Sequence, residues 1–171
     1  MKGDIITADA MSCQKKIVEK IIEKKADYTI GLKQNQPALY KDIEDYFNEF
    51  SADIPSKTTL DKGHGRIEKR EYRLLTNLSW LGQKNEWKGL NALGCARSTI
   101  TENGEVREFT RYFITSLTDL DEFADSVRKH WSIENCTSVP ETASVADLSY
   151  ELRTIHLANT VHCHYSFVFR K

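Results

Sequence analysis

A strand, an amphipathic helix and a second strand follow one another at the start of the chain, and this order constrains the fold most. Residues 4–8 are rich in β-branched side chains, and residues 28–32 form a second short apolar run. Between residues 11 and 25, Ile17 and Ile21 recur with helical spacing while lysine and glutamate occupy the other faces. Two strands joined by a helix are expected to run parallel, with a right-handed crossover. The pattern therefore predicts a βαβ unit within an α/β fold.

The middle of the chain predicts one more helix and then a β-rich segment. Pro37 suits the first turn of a helix that runs to about Phe50, and a polar loop is predicted over residues 51–65. Strands are predicted over residues 66–76, 90–101 and 106–115. The last two are joined by Asn103-Gly104, a strong signal for a two-residue hairpin.

A final helix is predicted from about residue 118 to Asn135. Thr118 with Asp121 three residues later resembles a capping box, and the apolar residues that follow have helical spacing. We interpret residues 36–117 as a helix plus a β-rich insertion, and residues 118–135 as a helix that returns to the core formed by residues 1–35.

Composition indicates a folded protein without bulk attraction to nucleic acid. Hydrophobic residues make up 40% of the chain, charged residues make up 29%, and the net charge is −1. Any DNA contact must therefore come from local patches. The apolar runs are too short to cross a bilayer and no signal sequence is recognised, so a cytoplasmic protein is expected. The cysteines, at positions 13, 95, 136 and 163, lack paired spacing and are predicted to be reduced thiols.

Two carboxylates are candidates for chemistry. Asp9 follows the first strand, where open α/β sheets place catalytic groups, although an Asp there more commonly caps the next helix. Glu134 lies seven residues after Val127 and three after Trp131, which places it on the apolar face of its helix. Burying an unpaired charge is costly, so a metal ion is one explanation. The alternative is that the helix ends there and Glu134 reaches solvent.

Several short motifs in this order resemble one family. They are Thr7-Ala8-Asp9-Ala10-Met11, Cys13-Gln14-Lys15-Lys16, Asp27-Tyr28, Leu32-Lys33-Gln34-Asn35-Gln36, His64-Gly65-Arg66-Ile67-Glu68 and His130-Trp131-Ser132-Ile133-Glu134-Asn135. Together they resemble the H-repeat-associated group of bacterial insertion-sequence transposases of the DDE type. The resemblance implies a ribonuclease-H-like core in which Asp9 is the second catalytic Asp and Glu134 is the catalytic Glu. It also implies two Mg²⁺ (or Mn²⁺) ions for cutting and joining DNA.

The resemblance also implies what this chain lacks. The family's first catalytic Asp lies on an earlier strand, so we expect a core that is incomplete at the N-terminus, with no antiparallel neighbours for its two parallel strands. Residues 136–171 do not match the family, and we expect them to be an out-of-frame tail without coherent elements. Its cluster of His156, His162, Cys163 and His164 is not expected to bind metal.

The remaining candidates concern DNA, namely the terminal inverted repeats of an insertion sequence. They are Lys33, Gln34, Asn35, Gln36, His64, Arg66, Arg70 and His130, with Arg97, Arg107 and Arg111 continuing the basic stretch. The alternatives are a polar loop for residues 33–36 and a solvated charged face for residues 66–73. We expect a defective transposase remnant, nucleoid-associated when bound to DNA. The alternative is a non-catalytic DNA-binding or dominant-negative partner of a full-length transposase, and pairing of the chain with itself is also open.

Overall fold

A computed structural model describes residues 3–63, 65–136 and 166–170, with the backbone alone described for residues 132–136 and 166–170. The strands are β1 (Asp4–Ala8), β2 (Asp27–Leu32), β3 (Ser56–Gly63), β4 (Arg66–Leu75), β5 (Ala92–Glu102), β6 (Glu105–Thr115) and β7 (Ser166–Arg170). The α-helices are α1 (Lys15–Glu23), α2 (Pro37–Phe50) and α3 (Leu120–Cys136), and 3₁₀ helices span Ala10–Ser12, Ser51–Asp53 and Lys84–Glu86. The strands form one sheet in the order β3-β4-β5-β6-β2-β1-β7. The fold is thus mixed α/β, as predicted.

The predicted βαβ unit is confirmed, with β1 and β2 parallel and Ala8 paired with Ile30. The helix between them is shorter than predicted, because residues 10–12 form a 3₁₀ helix and α1 begins only at Lys15. Side-chain amides from the loop after β2 donate to the carbonyl oxygens of Ala10 and Cys13. These carbonyls are therefore bonded to the loop, and the α-helix starts after them.

The predicted polar loop over residues 51–65 is wrong, because β3 occupies most of it and pairs antiparallel with β4. Both faces of β3 carry polar side chains. One face packs on α3, where Lys57 contacts Asp121 and Asp61 contacts Arg128. A strand stabilised by ion pairs shows no alternation of apolar residues, and so its sequence resembles a loop.

The Asn103-Gly104 hairpin is confirmed, with both residues at positive φ (52° and 84°), as the turn requires. β6 then continues along β2, with Tyr112 paired with Leu32. The β-rich segment therefore extends the core sheet. Residues 56–63, 66–72, 96–102 and 105–109 lie on the part of the sheet that β2 does not reach, and we call this part the ribbon.

The expectation that the parallel pair would lack antiparallel neighbours is wrong. β6 pairs with β2 on one side, and β7 pairs with β1 on the other, with Ile6 opposite Val168. The run Phe167-Val168-Phe169 has strong β propensity, which accounts for a strand in a segment where no element was predicted. The candidate cluster at His156, His162, Cys163 and His164 lies outside the described residues.

Helices cover both faces of the sheet, with α1 and α2 on one face and α3 on the other. The α3 face carries the small residues Ala92, Gly94 and Ala96, and Phe123 fills the space above them. α3 is capped by Asp119, whose carboxylate accepts the N–H of Glu122, so the predicted Thr118 box was displaced by one residue. No helix in the described residues is long and apolar enough to cross a membrane.

Candidate functional site at the carboxyl ends of the parallel strands

A cleft of about 270 Å³ opens where β1 and β2 end. Asp9 and Lys33 follow these two strands, β6 runs past the ends as one wall, and the turn of α3 at His130 and Trp131 forms another. Its lining is Ala8, Asp9, Gly31, Leu32, Lys33, Tyr40, Thr110, Arg111, Tyr112, Phe113, His130 and Trp131. Carboxyl ends of parallel strands are the usual place for ligands in open α/β sheets.

Asp9 performs the capping role and keeps an oxygen for another partner. Its Oδ1 accepts the N–H of Ala10 at 2.7 Å and lies 3.6 Å from Nζ of Lys33. The side chain is 41% exposed. Within the described residues its other oxygen, Oδ2, accepts no hydrogen bond. The two interpretations of Asp9, a cap and a ligand, are therefore compatible.

The candidate residues after β2 divide into two pairs. The amides of Asn35 and Gln36 donate to the carbonyl oxygens of Ala10 and Cys13, at 2.7 and 3.1 Å, and so hold this loop against the segment that follows Asp9. Lys33 and Gln34 are exposed, and Lys33 reaches Asp9. The first pair positions the loop, and the second is accessible to a ligand.

His130 is buried rather than presented to solvent. It is 7% exposed, and its Nδ1 lies 3.0 Å from Oγ1 of Thr7, so it connects α3 to β1. A second polar connection is nearby, where the Ser126 hydroxyl donates to the Thr29 hydroxyl at 3.1 Å. These contacts fix α3 over the strand ends. α3 carries the backbone of Glu134 three residues, close to one turn, beyond Trp131.

The described residues do not form a metal site by themselves. They contain no group of three or more His, Cys, Asp or Glu side chains able to hold an ion. Asp9 offers one hard carboxylate oxygen, which suits Mg²⁺ or Mn²⁺ as one ligand among several. A divalent ion at this cleft thus needs further ligands.

The ribbon arginines are paired with acids. Arg70 is 15% exposed and contacts Asp61, and its Nη2 lies 2.8 Å from Oε2 of Glu68. Arg66 lies 3.1 Å from the same carboxylate and is 46% exposed. Arg128 of α3 also contacts Asp61, at 3.2 Å. The structure does not bring Arg66 or Arg70 to the cleft lining, and His64 lies outside the described residues.

The sequence did not single out Arg111 and Trp131 as a pair. The guanidinium carbon of Arg111 lies 4.8 Å from the ring centroid of Trp131, across the cleft from Asp9. The alternation of side chains along a strand could have indicated this pair, since Arg111 lies two residues before Phe113 and therefore on the same face of β6, the face that packs against α3.

The two cysteines whose side chains the structure describes, Cys13 and Cys95, do not line the cleft. Burial raises the pKa of the Cys13 thiol to about 12 and that of Cys95 to about 11, and both are free thiols. They remain protonated at neutral pH and serve as small apolar residues. Burial likewise raises the pKa of Tyr112, in the cleft wall, to about 12, so the phenol stays neutral.

The site thus combines the Asp9 carboxylate with two cations, Lys33 and Arg111, at the carboxyl ends of parallel strands, where open α/β sheets usually bind ligands. The family described as the transposase DDE domain matches residues 1–139, and the chain belongs to this family. The resemblance to DDE transposases is thereby confirmed, and the relatives below confirm its H-repeat-associated group.

Individual relatives agree with the family. The chain is 40% identical to the "H repeat-associated putative transposase YhhI" of Escherichia coli K12 over 145 residues, 79% of this chain and 38% of that protein. It is 36% identical to the "Putative transposase YncI" of Escherichia coli O157:H7 over 147 residues, 79% and 37% respectively. A protein in the dhlA 3′ region of Xanthobacter autotrophicus is 39% identical over 121 residues, 69% of this chain and 41% of that protein. The chain spans about two fifths of the length of these relatives. No solved structure matches it.

Proposed function

We propose that the cleft belongs to an enzyme that cuts and joins DNA strands at the ends of an insertion sequence. One observation carries the proposal: a partly exposed Asp9 carboxylate lies at the carboxyl end of a parallel strand, beside Lys33 and below the helix that carries Glu134. Membership of the transposase family supports DNA as the substrate. The parallel pair with helices on both faces also suits a ribonuclease-H-like core.

Asp9 and Glu134 are proposed as the catalytic, metal-binding carboxylates. Two divalent ions, Mg²⁺ or Mn²⁺, would stabilise the attacking and leaving oxygens of an in-line displacement at phosphorus. In this chain, Asp9 would hold an ion through the oxygen that does not cap Ala10. The contacts of His130 with Thr7 and of Ser126 with Thr29 would hold α3 in a fixed position over β1 and β2, and would thereby position Glu134.

Lys33 and Gln34 are proposed to contact the DNA backbone, while Asn35 and Gln36 hold their loop. Lys33 neutralises Asp9 in the free protein, and a bound ion could take over that role and release the ammonium for a phosphate. Arg66 and Arg70 are proposed to contribute less to DNA binding, because each must first leave a carboxylate.

We further propose that the metal site of this chain by itself is incomplete, which makes the chain a defective transposase. The described residues place one carboxylate, Asp9, in the cleft lining. Loss of one ligand from a two-metal site misplaces the reacting groups, and small misplacements are costly. The terminal inverted repeats of an insertion sequence are the proposed DNA partner.

The test is cleavage of DNA that carries family inverted repeats, with Mg²⁺ or Mn²⁺, by the chain and its Asp9→Asn and Glu134→Gln variants. Asp42→Asn, an exposed acid on α2, is the matched control. We expect no cleavage by this chain and weak Mn²⁺ binding that Asp9→Asn abolishes and Asp42→Asn does not alter. Cleavage that both site variants abolish would support the carboxylate assignment and refute the defective state. Mn²⁺ binding that survives Asp9→Asn would refute the metal assignment.

A second candidate function is non-catalytic binding to DNA ends, as a partner that competes with a full-length transposase. It is favoured by the cleft lining, in which Lys33 and Arg111 outnumber the single acid Asp9. An affinity titration of end-repeat and scrambled duplexes at several salt concentrations tests it. Equal affinity for both duplexes would remove this candidate.

A further inference from the structure

Arg111 differs from most arginines of the described residues in what holds it. Arg66, Arg70, Arg73, Arg107 and Arg128 each lie in an ion pair with a carboxylate. Arg111 has no acidic partner within the described residues. Its guanidinium lies instead over the Trp131 ring, at 4.8 Å from the centroid.

This difference matters for binding an anion. A carboxylate partner offsets the charge of an arginine and occupies some of its N–H donors, whereas an aromatic ring contacts only the flat face of the guanidinium. The donors at the edge of Arg111 therefore remain available. Trp131 is partly buried against the cluster that contains Phe123, so the ring is itself fixed.

The position of Arg111 directs those donors to the cleft. Tyr112 is paired with Leu32, and Arg111 and Lys33 lie one position beyond that pair, where β2 has ended. Strand parity puts both side chains on the α3 face of the sheet. Two cations that face each other across a strand pair repel, and an anion bound between them removes that repulsion. Among the side chains that the structure describes in the lining, Asp9 balances only one of the two charges.

We propose that Arg111, held against Trp131, binds a backbone phosphate of the DNA strand that enters the Asp9 cleft, opposite Lys33. The inference rests on the proposed function and names a substrate contact within it. The guanidinium fork matches two phosphate oxygens, and Lys33 adds a point charge to the same diester or to its neighbour. Trp131 is a positioning residue, which acts through Arg111.

Fluorescence anisotropy with a labelled 20-base-pair DNA duplex, in EDTA so that no cleavage intervenes, tests the proposal. Arg111→Gln is expected to weaken binding about tenfold at low salt. It is also expected to reduce the slope of log affinity against log salt by about 0.9, the value for one phosphate contact. Arg107→Gln is the matched control, since it removes the same charge from the same face of β6 but an arginine already paired with Glu102.

Two further variants separate the ring from the charge. Trp131→Phe keeps an aromatic face and should bind the duplex within about twofold of the parent chain. Trp131→Leu should weaken binding by about half as much, in log affinity, as Arg111→Gln does. Thermal unfolding of each variant checks that α3 remains docked. A variant that is partly unfolded would bind the duplex less tightly for that reason alone.

The outcomes distinguish this inference from the proposal beneath it. If Arg111→Gln matches Arg107→Gln in affinity and salt slope while Lys33→Gln still weakens binding, the Arg111 contact is refuted and the proposed function stands. If the parent chain does not bind the duplex, both are refuted. If Trp131→Leu has the affinity and slope of the parent chain, the positioning role of Trp131 is refuted.

Discussion

The cleft and the ribbon carry the same kind of side chain in opposite surroundings. At the cleft, Arg111 lies over the Trp131 ring, and Nζ of Lys33 lies 3.6 Å from Oδ1 of Asp9. On the ribbon, Arg70 lies between Asp61 and Glu68, and Arg107 is paired with Glu102. The ribbon's basic stretch is thus largely neutralised, whereas the described side chains that line the cleft include two cations, Lys33 and Arg111, and one acid, Asp9. The comparison shows that the partners of a basic residue, more than the net charge of the chain, decide whether its charge is available to a ligand.

The same two regions differ in how they are stabilised. Over β1, β2 and the first half of β5, α3 buries Phe123 against the sheet, while the ribbon leaves Leu60, Val106 and Phe109 more than 45% exposed. We expect the free energy of unfolding to depend on the region that α3 covers, and DNA binding to depend on the cleft, which lies between that region and the ribbon. The following predictions test this division, from the largest expected effect to the smallest.

Phe123→Ala should lower the free energy of unfolding by about 3–5 kcal/mol, because it empties a fully buried site beneath α3. Phe109→Ala removes the same side chain from the ribbon, where it is 49% exposed, and should change stability by about 0.5 kcal/mol or less. Urea unfolding of both variants gives the comparison. Similar losses in the two would show that the ribbon belongs to the core.

Gly94→Ala should destabilise the chain by about 1–3 kcal/mol, since a Cβ there would lie 2.2 Å from Cζ of Phe123. Gly82→Ala is the control, because no heavy atom lies within 4 Å of its Cβ position and its φ is not positive. Phe123→Leu should be tolerated better in the Gly94→Ala background than alone. A double-mutant cycle by thermal unfolding measures this coupling, and additive losses would contradict the contact.

Thr29→Val should cost about 0.5–1.5 kcal/mol, because it removes the hydroxyl that Ser126 and Thr115 share as a partner, although each of them keeps a bond to a backbone carbonyl. Thr101→Val on the ribbon is its matched control, and it should be close to neutral. Equal effects of the two substitutions in chemical denaturation would show that the hydroxyl chain under α3 does not stabilise it.

Asp61→Asn should lower stability at pH 7 by about 0.5 kcal/mol, a value discounted for the solvent exposure of the pair. Hydrogen bonds from Arg70, and next from Arg128, hold the pKa of Asp61 below its ordinary value. Because the folded-state pKa is lowered, this contribution is present above the unfolded-state pKa of about 3.9 and is lost as the pH falls through the folded-state pKa. The two proteins should therefore converge as the pH falls below the folded-state pKa of Asp61.

The same substitution sharpens the charge comparison, because it releases Arg70 and Arg128 from one acid. Duplex affinity of Asp61→Asn at low salt should rise about twofold to fivefold, with a steeper salt dependence. An unchanged affinity would mean that the ribbon lies away from the DNA whether or not its arginines are paired.

Local patterns in the sequence predicted much of the fold. Alternating and helical spacings located the βαβ unit, and Asn103-Gly104 predicted its hairpin because that turn requires two residues at positive φ. β3 was missed because its inward residues, Lys57 and Asp61, are stabilised by partners on α3 that are about 65 residues away in the chain. No local signal reports such a contact.

The candidate site was also predictable only in part, because local patterns indicate its position but not the partners of its side chains. A strand end followed by Asp9 indicated where the cleft would lie, and the spacing after Trp131 placed Glu134 on the adjoining helix. The roles of the charged residues depended on their partners, which a linear sequence does not show. His130 was predicted as a DNA contact, and it is buried against Thr7, so we propose a positioning role for it.

The most direct measurement compares two double variants in duplex binding without metal: Lys33→Gln with Arg111→Gln, and Arg66→Gln with Arg70→Gln. Each pair removes the same charge, and thermal unfolding verifies that both proteins are folded. The account predicts that the cleft pair loses tenfold or more in affinity and about two units of salt slope, while the ribbon pair stays within about threefold of the parent chain. A larger loss for the ribbon pair would contradict the assignment of DNA binding to the cleft.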